Sequence, residues 1–143
     1  GIDGTLSTAI GAAAGTNELT TVIMGDLSFF YDSNALWIKP FPQNLKIILI
    51  NNKGGSIFRI IDGPSSIDEL EHFLEAKHDL NAENIAKTFG IDYVFCDNEI
   101  DLEINLKFFF SENIKKPSLL EVATNNELNP DILKMYFQSI KNA

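Results

Sequence analysis

The chain has 143 residues, enough for one domain that buries most of its apolar surface without disulfide staples. Hydrophobic residues make up 45% and charged residues 22%, and 11 basic against 20 acidic side chains leave a formal charge of −9. That balance disfavours nucleic acid and anionic membrane surfaces, which need a basic face.

Apolar runs and helical patterns alternate from end to end. Residues 6–14 are rich in Ala and predict a helix that stops near Gly15. Thr21-Val22-Ile23-Met24 is a short buried-strand pattern ending at Gly25-Asp26. Residues 32–38 predict a short helix, capped by Asp32 or Ser33 and closed by Pro40. Lys46-Ile47-Ile48-Leu49-Ile50 is the clearest strand, apolar on both faces and therefore expected to be central and parallel. Gly54-Gly55 breaks it, and residues 61–72, with Gly63, Pro64, Ser65 and Ser66, read as a surface loop. Residues 81–89 predict a helix with a capping residue and Gly90 at its C-terminus. A strand follows over 91–96, then a helical apolar stripe over 100–110. Pro117 precedes a strand over 119–122. Asn129-Pro130 starts a last helix whose apolar face holds Ile132, Leu133, Tyr136, Phe137 and Ile140. Trp37 and Phe108-Phe109-Phe110 are expected in the core.

Strand and helix alternate about four times, which predicts an α/β fold. The expected form is a three-layer αβα arrangement with a mostly parallel central sheet. No repeat or composition shift divides the chain, so residues 1–143 read as a single domain. No apolar run approaches the ~18 residues of a membrane span. The opening Gly1-Ile2-Asp3-Gly4 is not a secretory leader and reads as the interior of a motif, so a piece of a longer enzyme is expected. Cys96 is the only cysteine and is expected as a small buried filler. This usage fits a reducing, cytoplasmic setting.

Two strand ends carry the chemistry. Gly25-Asp26 follows one apolar strand and Asn51-Asn52-Lys53-Gly54-Gly55 follows the next. Asn52 lies 26 positions after Asp26, the length of a strand–helix–strand unit, so both side chains are expected at one sheet edge. A carboxylate, an amide oxygen and a backbone carbonyl there suit a hard divalent cation such as Mg²⁺, whose other partners are diphosphate oxygens. Gly25 lets a phosphate approach the backbone, and the helix after Asp26 aims its amide groups at the same place. Each half alone reads first as a helix cap or a turn. The spacing and the two strands together favour the metal–diphosphate reading.

These residues resemble the thiamine-diphosphate-dependent enzymes, in which Gly-Asp is followed one strand–helix–strand unit later by Asn. Leu27 stands where many members have Gly. That departure, with Ser28-Phe29, Asp32, Asn34 and Leu36, points to the menaquinone-pathway branch. So do Asn51-Asn52-Lys53-Gly54-Gly55-Ser56-Ile57-Phe58 and the opening Gly1-Ile2-Asp3-Gly4 with Leu6-Ser7-Thr8-Ala9. The resemblance is strong over residues 1–60 and beyond that is one of pattern. It implies that Asp26, Asn52 and the Gly54 carbonyl hold Mg²⁺ (or Mn²⁺). Gly25, Leu27, Ser28 and Gly55 border the diphosphate, and Ile2 and Ile57 support the cofactor. Ile57, Phe58 and Ile61 line the substrate side, with Arg59 a candidate carboxylate clamp beside its alternative as a surface ion pair. Lys53, His72 and His78 receive no role. The implied reaction joins decarboxylated 2-oxoglutarate to isochorismate, with menaquinone as the pathway's product. The activating glutamate is expected from the N-terminal pyrimidine-binding domain of a neighbouring subunit, so no catalytic residue is assigned within this chain. A homodimer or homotetramer is expected at full length, and the chain alone is expected to be inactive. The 54–64 segment is expected to be mobile without ligand. Two other readings share these residues. One is a different thiamine-diphosphate enzyme, acetolactate-synthase-like or a 2-oxoacid decarboxylase. The other is a non-catalytic binding module.

Overall fold

The computed structural model describes residues 2–61, 70–111 and 116–141. It divides into two compact units, one made of Gly1–Asn51 and Asn81–Ala123, the other of Asn52–Leu80 and Thr124–Ala143. The units interleave along the chain, so no shift in composition marks the division.

The first unit holds four strands: β1 (Thr20–Gly25), β2 (Leu45–Asn51), β3 (Asp92–Cys96) and β4 (Ser118–Ala123). They form one parallel sheet in the order β1-β2-β4-β3, so the two most buried strands are central, and β2 is where the sequence predicts it. Alternate side chains serve opposite faces. Ile47, Leu49 and Leu119 pack with Leu6, Ile10 and Ala13 of α1 (Thr5–Ala14), Phe29 of α2 (Asp26–Tyr31) and Ala86 of α4 (Glu83–Phe89). On the other face Leu120 and Cys96 pack with Phe109, Leu102 and Leu106 of α5 (Glu99–Phe109). Helices on both faces give the three layers. Cys96 is the buried filler expected of it.

Local chemistry sets the boundaries. The Asn81 side chain accepts the Glu83 N–H at the start of α4, and Gly90 ends it in the left-handed region at φ 70°. Asn98 caps α5 by accepting the Asp101 N–H at 2.9 Å. Residues 33–37 form a 3₁₀ turn (Ser33–Trp37), but Asp32 does not cap it. Its carboxylate instead accepts the Ser7 N–H at 2.6 Å and the Ser7 hydroxyl at 2.5 Å, tying the start of α1. Burial pulls this carboxyl upward, yet those hydrogen bonds hold it below the usual carboxylate value.

Two core expectations are corrected. Trp37 is 72% exposed, touching Phe89 edge-on. Phe108 is 64% exposed and Phe110 43%, so only Phe109 of the triplet is buried. Large aromatics in a short turn or at a helix end have two faces to choose from, and periodicity alone does not decide between them.

In the second unit, α3 (Ile57–Ile60) is a single turn, a π-helical turn spans Leu70–Leu74, and α6 runs Asn129–Lys141. Residues 62–69, most of the loop expected over 61–72, and the side chain of His72 lie outside the described residues. Pro130 is the second residue of α6 rather than its first, because the turn from Asn125 already places Asn129 in helix. The apolar side of α6 forms as predicted, but Ile132, Tyr136, Phe137 and Ile140 each remain more than half exposed.

Truncation should separate core from surface. Leu119→Ala, wholly buried in β4, is expected to cost about 2–5 kcal/mol in urea unfolding, whereas Trp37→Ala should cost well under half of that.

Candidate functional site

The carboxyl edge of the sheet in the first unit is set by register. Gly25 lies opposite Ile50, so β1 and β2 end side by side, and Asp26 begins α2 directly after β1. Asp26 is 2% exposed, and one of its carboxylate oxygens accepts the Leu27 N–H at 2.7 Å. It does not cap α2; Gly25 occupies that position in extended conformation, at φ −82°. A Cβ built on Gly25 meets nothing within 4 Å, so open space adjoins its backbone.

Asn51 ends β2, and its amide donates to Glu121 at 2.6 Å. Glu121 has no exposed surface and also accepts the Ala82 N–H at 2.9 Å and the Tyr93 hydroxyl at 2.7 Å. A buried carboxylate is tolerable only when so supplied with donors. Burial, then the Glu121 hydrogen bond, push the Tyr93 hydroxyl well above its ordinary value. Sequence reasoning passed over this network. Its one visible signal is an acid inside the apolar run Leu119-Leu120-Glu121-Val122.

The second unit begins with Asn52. Its amide nitrogen donates to the Ser56 hydroxyl, which in turn donates to Asn126 Oδ1. The Gly54 N–H donates to Asn52 Oδ1 at 3.2 Å, so the amide oxygen faces the Gly54 turn. Gly54 sits at φ 154°, and a Cβ there would lie 2.8 Å from the Glu75 carbonyl oxygen. Only glycine fits. The Gly55 N–H donates to that same carbonyl at 2.6 Å, and His78 N–H donates to the Lys53 carbonyl at 3.3 Å. Arg59 pairs through Nε and one terminal nitrogen with the buried Glu75, and at 2.7 Å with Glu71. Its hydrogen bonds to Glu75 and then to Glu71 hold its guanidinium charged even more firmly than usual. Lys77 pairs with Glu71 at 2.8 Å and Lys53 with Asp79 at 3.4 Å. A cavity of about 500 Å³ opens here, lined by Asn52, Lys53, Arg59, His78 and Asn126 among others. Ile57 and Ile61, one turn apart, are exposed, and Ile2 in the first unit is 39% exposed.

Residues 3–122 match the thiamine pyrophosphate enzyme family in its C-terminal TPP binding domain. The chain belongs to this family. A likeness of fold agrees: the thiamine diphosphate-dependent 4-hydroxybenzoylformate decarboxylase of Rhodococcus jostii RHA1 superposes with a TM-score of 0.64 at 21% identity, over 85% of this chain and 23% of that one. Among curated relatives, proteins named 2-succinyl-5-enolpyruvyl-6-hydroxy-3-cyclohexene-1-carboxylate synthase match along nearly the whole chain. That of Christiangramia forsetii is 44% identical over 99% of this chain and 24% of its own length. That of Flavobacterium johnsoniae is 45% identical over 98% and 25%. The chain thus spans about a quarter of the length of the curated relatives it matches.

The cofactor of a thiamine pyrophosphate enzyme is a diphosphate ester, and the residues present fit it. The open backbone at Gly25 admits a phosphate oxygen. In the second unit the Asn52 amide and the Gly54 carbonyl are hard oxygen donors, of the kind Mg²⁺ takes; in the first unit the buried Asp26 carboxylate is another. No helix among the described residues is long and apolar enough to cross a membrane.

Two measurements check this geometry. Gly54→Ala is expected to destabilise the fold by more than about 1 kcal/mol, while Gly25→Ala leaves it within about 0.5 kcal/mol, because only Gly54 meets a neighbour at a left-handed φ. Tyr93→Phe should cost about 1.5–3 kcal/mol at neutral pH, the value of a hydrogen bond to a charged group. Because the Tyr93 pKa is raised on folding, its contribution is present below pH 10.0 and is lost as pH climbs above it. The gap between wild type and Tyr93→Phe in urea unfolding should therefore narrow above pH 10.0.

Proposed function

We propose that this chain is the C-terminal cofactor-binding domain of a synthase that joins decarboxylated 2-oxoglutarate to isochorismate in menaquinone biosynthesis. The observation that carries this reading is the 40–45% identity, held along essentially the whole chain, to relatives that bear the synthase name.

In this reading Asp26, Asn52 and the Gly54 carbonyl hold Mg²⁺. Support comes from the chain itself: β1 and β2 end in register, Asp26 follows one strand, and Asn52 is the residue after the other. Gly25, Leu27, Ser28 and Gly55 border the diphosphate through backbone groups. Ile2 and Ile57 support the cofactor, and Ile57, Phe58 and Ile61 form an apolar wall that keeps water from the reacting carbons. Bound thiamine diphosphate supplies the electron sink for decarboxylation and the carbon–carbon bond formation that follows. The chain's residues bind, orient and exclude water. The proton-transfer step belongs to a glutamate on an N-terminal pyrimidine-binding domain of a neighbouring subunit. The full-length protein is accordingly a homodimer or homotetramer with Mg²⁺ and thiamine diphosphate at the shared site, working in the cytoplasm.

The test mixes the full-length protein with isochorismate, 2-oxoglutarate, thiamine diphosphate and Mg²⁺ and follows isochorismate loss. Consumption that falls at least a hundredfold in Asp26→Ala is the expected result, about 3 kcal/mol of lost stabilisation. Cofactor binding without consumption would move the reaction to another 2-oxo acid. The isolated chain is expected to turn over nothing.

A further inference from the structure

Glu75 is a buried acid with no part in the proposed chemistry, and its surroundings give it one. Its side chain has no exposed surface, while that of Arg59 is 20% exposed and pairs with it through two guanidinium nitrogens. Its backbone carbonyl accepts the Gly55 N–H and sits where any side chain on Gly54 would go. Its own N–H closes the π-helical turn on Leu70 at 3.1 Å. One residue thus anchors the Gly54–Gly55 turn with its main chain and Arg59 with its side chain.

Arg59 is correspondingly committed. Two nitrogens of its fork face Glu75, one of which also meets Glu71, and Lys77 completes the set at Glu71. Two carboxylates and two cations balance. A substrate carboxylate that drew Arg59 away would leave the Glu75 charge buried and without its cation, which is strongly unfavourable. The pair therefore favours a fixed turn over a mobile clamp.

We propose that Arg59 and Glu75 are positioning residues: their ion pair fixes the Gly54–Gly55 turn, and so the Gly54 carbonyl offered to the divalent cation, and neither contacts substrate. This rests on the reading that Asn52 and Gly54 hold Mg²⁺. Groups that orient metal ligands from behind typically govern affinity by about 10- to 100-fold.

The experiment titrates Mg²⁺ into the full-length protein at saturating thiamine diphosphate by calorimetry, for wild type, Glu75→Gln, Arg59→Met and Arg59→Lys. The KM for the 2-oxo acid is measured at saturating Mg²⁺. A weakening of Mg²⁺ binding by about 10- to 100-fold in Glu75→Gln and Arg59→Met, with KM within twofold of wild type, is expected. Arg59→Lys, which keeps the charge but loses the fork, should fall between. Full cofactor occupancy regained at high Mg²⁺ would distinguish a displaced ligand from a misfolded chain. An unchanged Mg²⁺ affinity overturns the proposal, and a KM raised tenfold or more alongside it makes Arg59 a substrate clamp instead. Should any variant misfold, Arg59→Lys alone decides by the same two constants. Wild type that binds thiamine diphosphate without needing Mg²⁺ would sink the metal reading itself, and the positioning role with it.

Discussion

An acid with no exposed surface, Glu121 in β4, ties three elements of the first unit to one another. Its three donors come from three elements: Asn51 at the end of β2, Ala82 before α4, and Tyr93 in β3. A carboxylate buried without them would cost several kcal/mol, so none of the three is free to drift. The end of β2 is thereby fixed at the residue before Asn52. Apolar packing fills the two layers around the sheet, but it is non-directional and would tolerate a strand end displaced by a fraction of a residue. The polar network does not.

The second unit repeats the device with a different partner. There the buried acid is Glu75, and a cation, Arg59, satisfies its side chain while its main chain receives the Gly54–Gly55 turn. In both units a buried acid is bonded to groups at a strand end or turn. Asp26 and Asn52, the side chains proposed for the metal, each stand one residue after a strand end, where a rigid ladder stops.

Much of this was legible in the residues. β2 was visible as a central parallel strand because it is apolar on both faces. α4 announced itself through its capping residue and Gly90, and the proposed site rests on Asp26 and Asn52, each following a strand at a crossover's spacing. What escaped was non-local. The partners of Glu121 lie 28, 39 and 70 positions away, and those of Arg59 lie 12 and 16. No periodicity links such pairs, so the residues alone favoured a surface ion pair for Arg59 over a clamp without naming its partners. Trp37 and Phe108 were misplaced for a related reason: composition says that an aromatic prefers shelter, while position on the element decides whether shelter is there.

The bare side of α6 has a consequence for how this chain behaves in solution. Ile132, Tyr136, Phe137 and Ile140 turn apolar surface to solvent along one helix, the kind of patch through which molecules adhere to one another. Opposing it is a net charge of −9, which keeps copies apart by repulsion reaching about 10 Å at 0.1 M ionic strength. Attraction through the helix is short-ranged and strengthened by kosmotropic salt, whereas the repulsion is screened by any salt. Ionic strength therefore weakens the repulsion between copies while leaving the apolar attraction, and so tips the balance of these two forces toward contact.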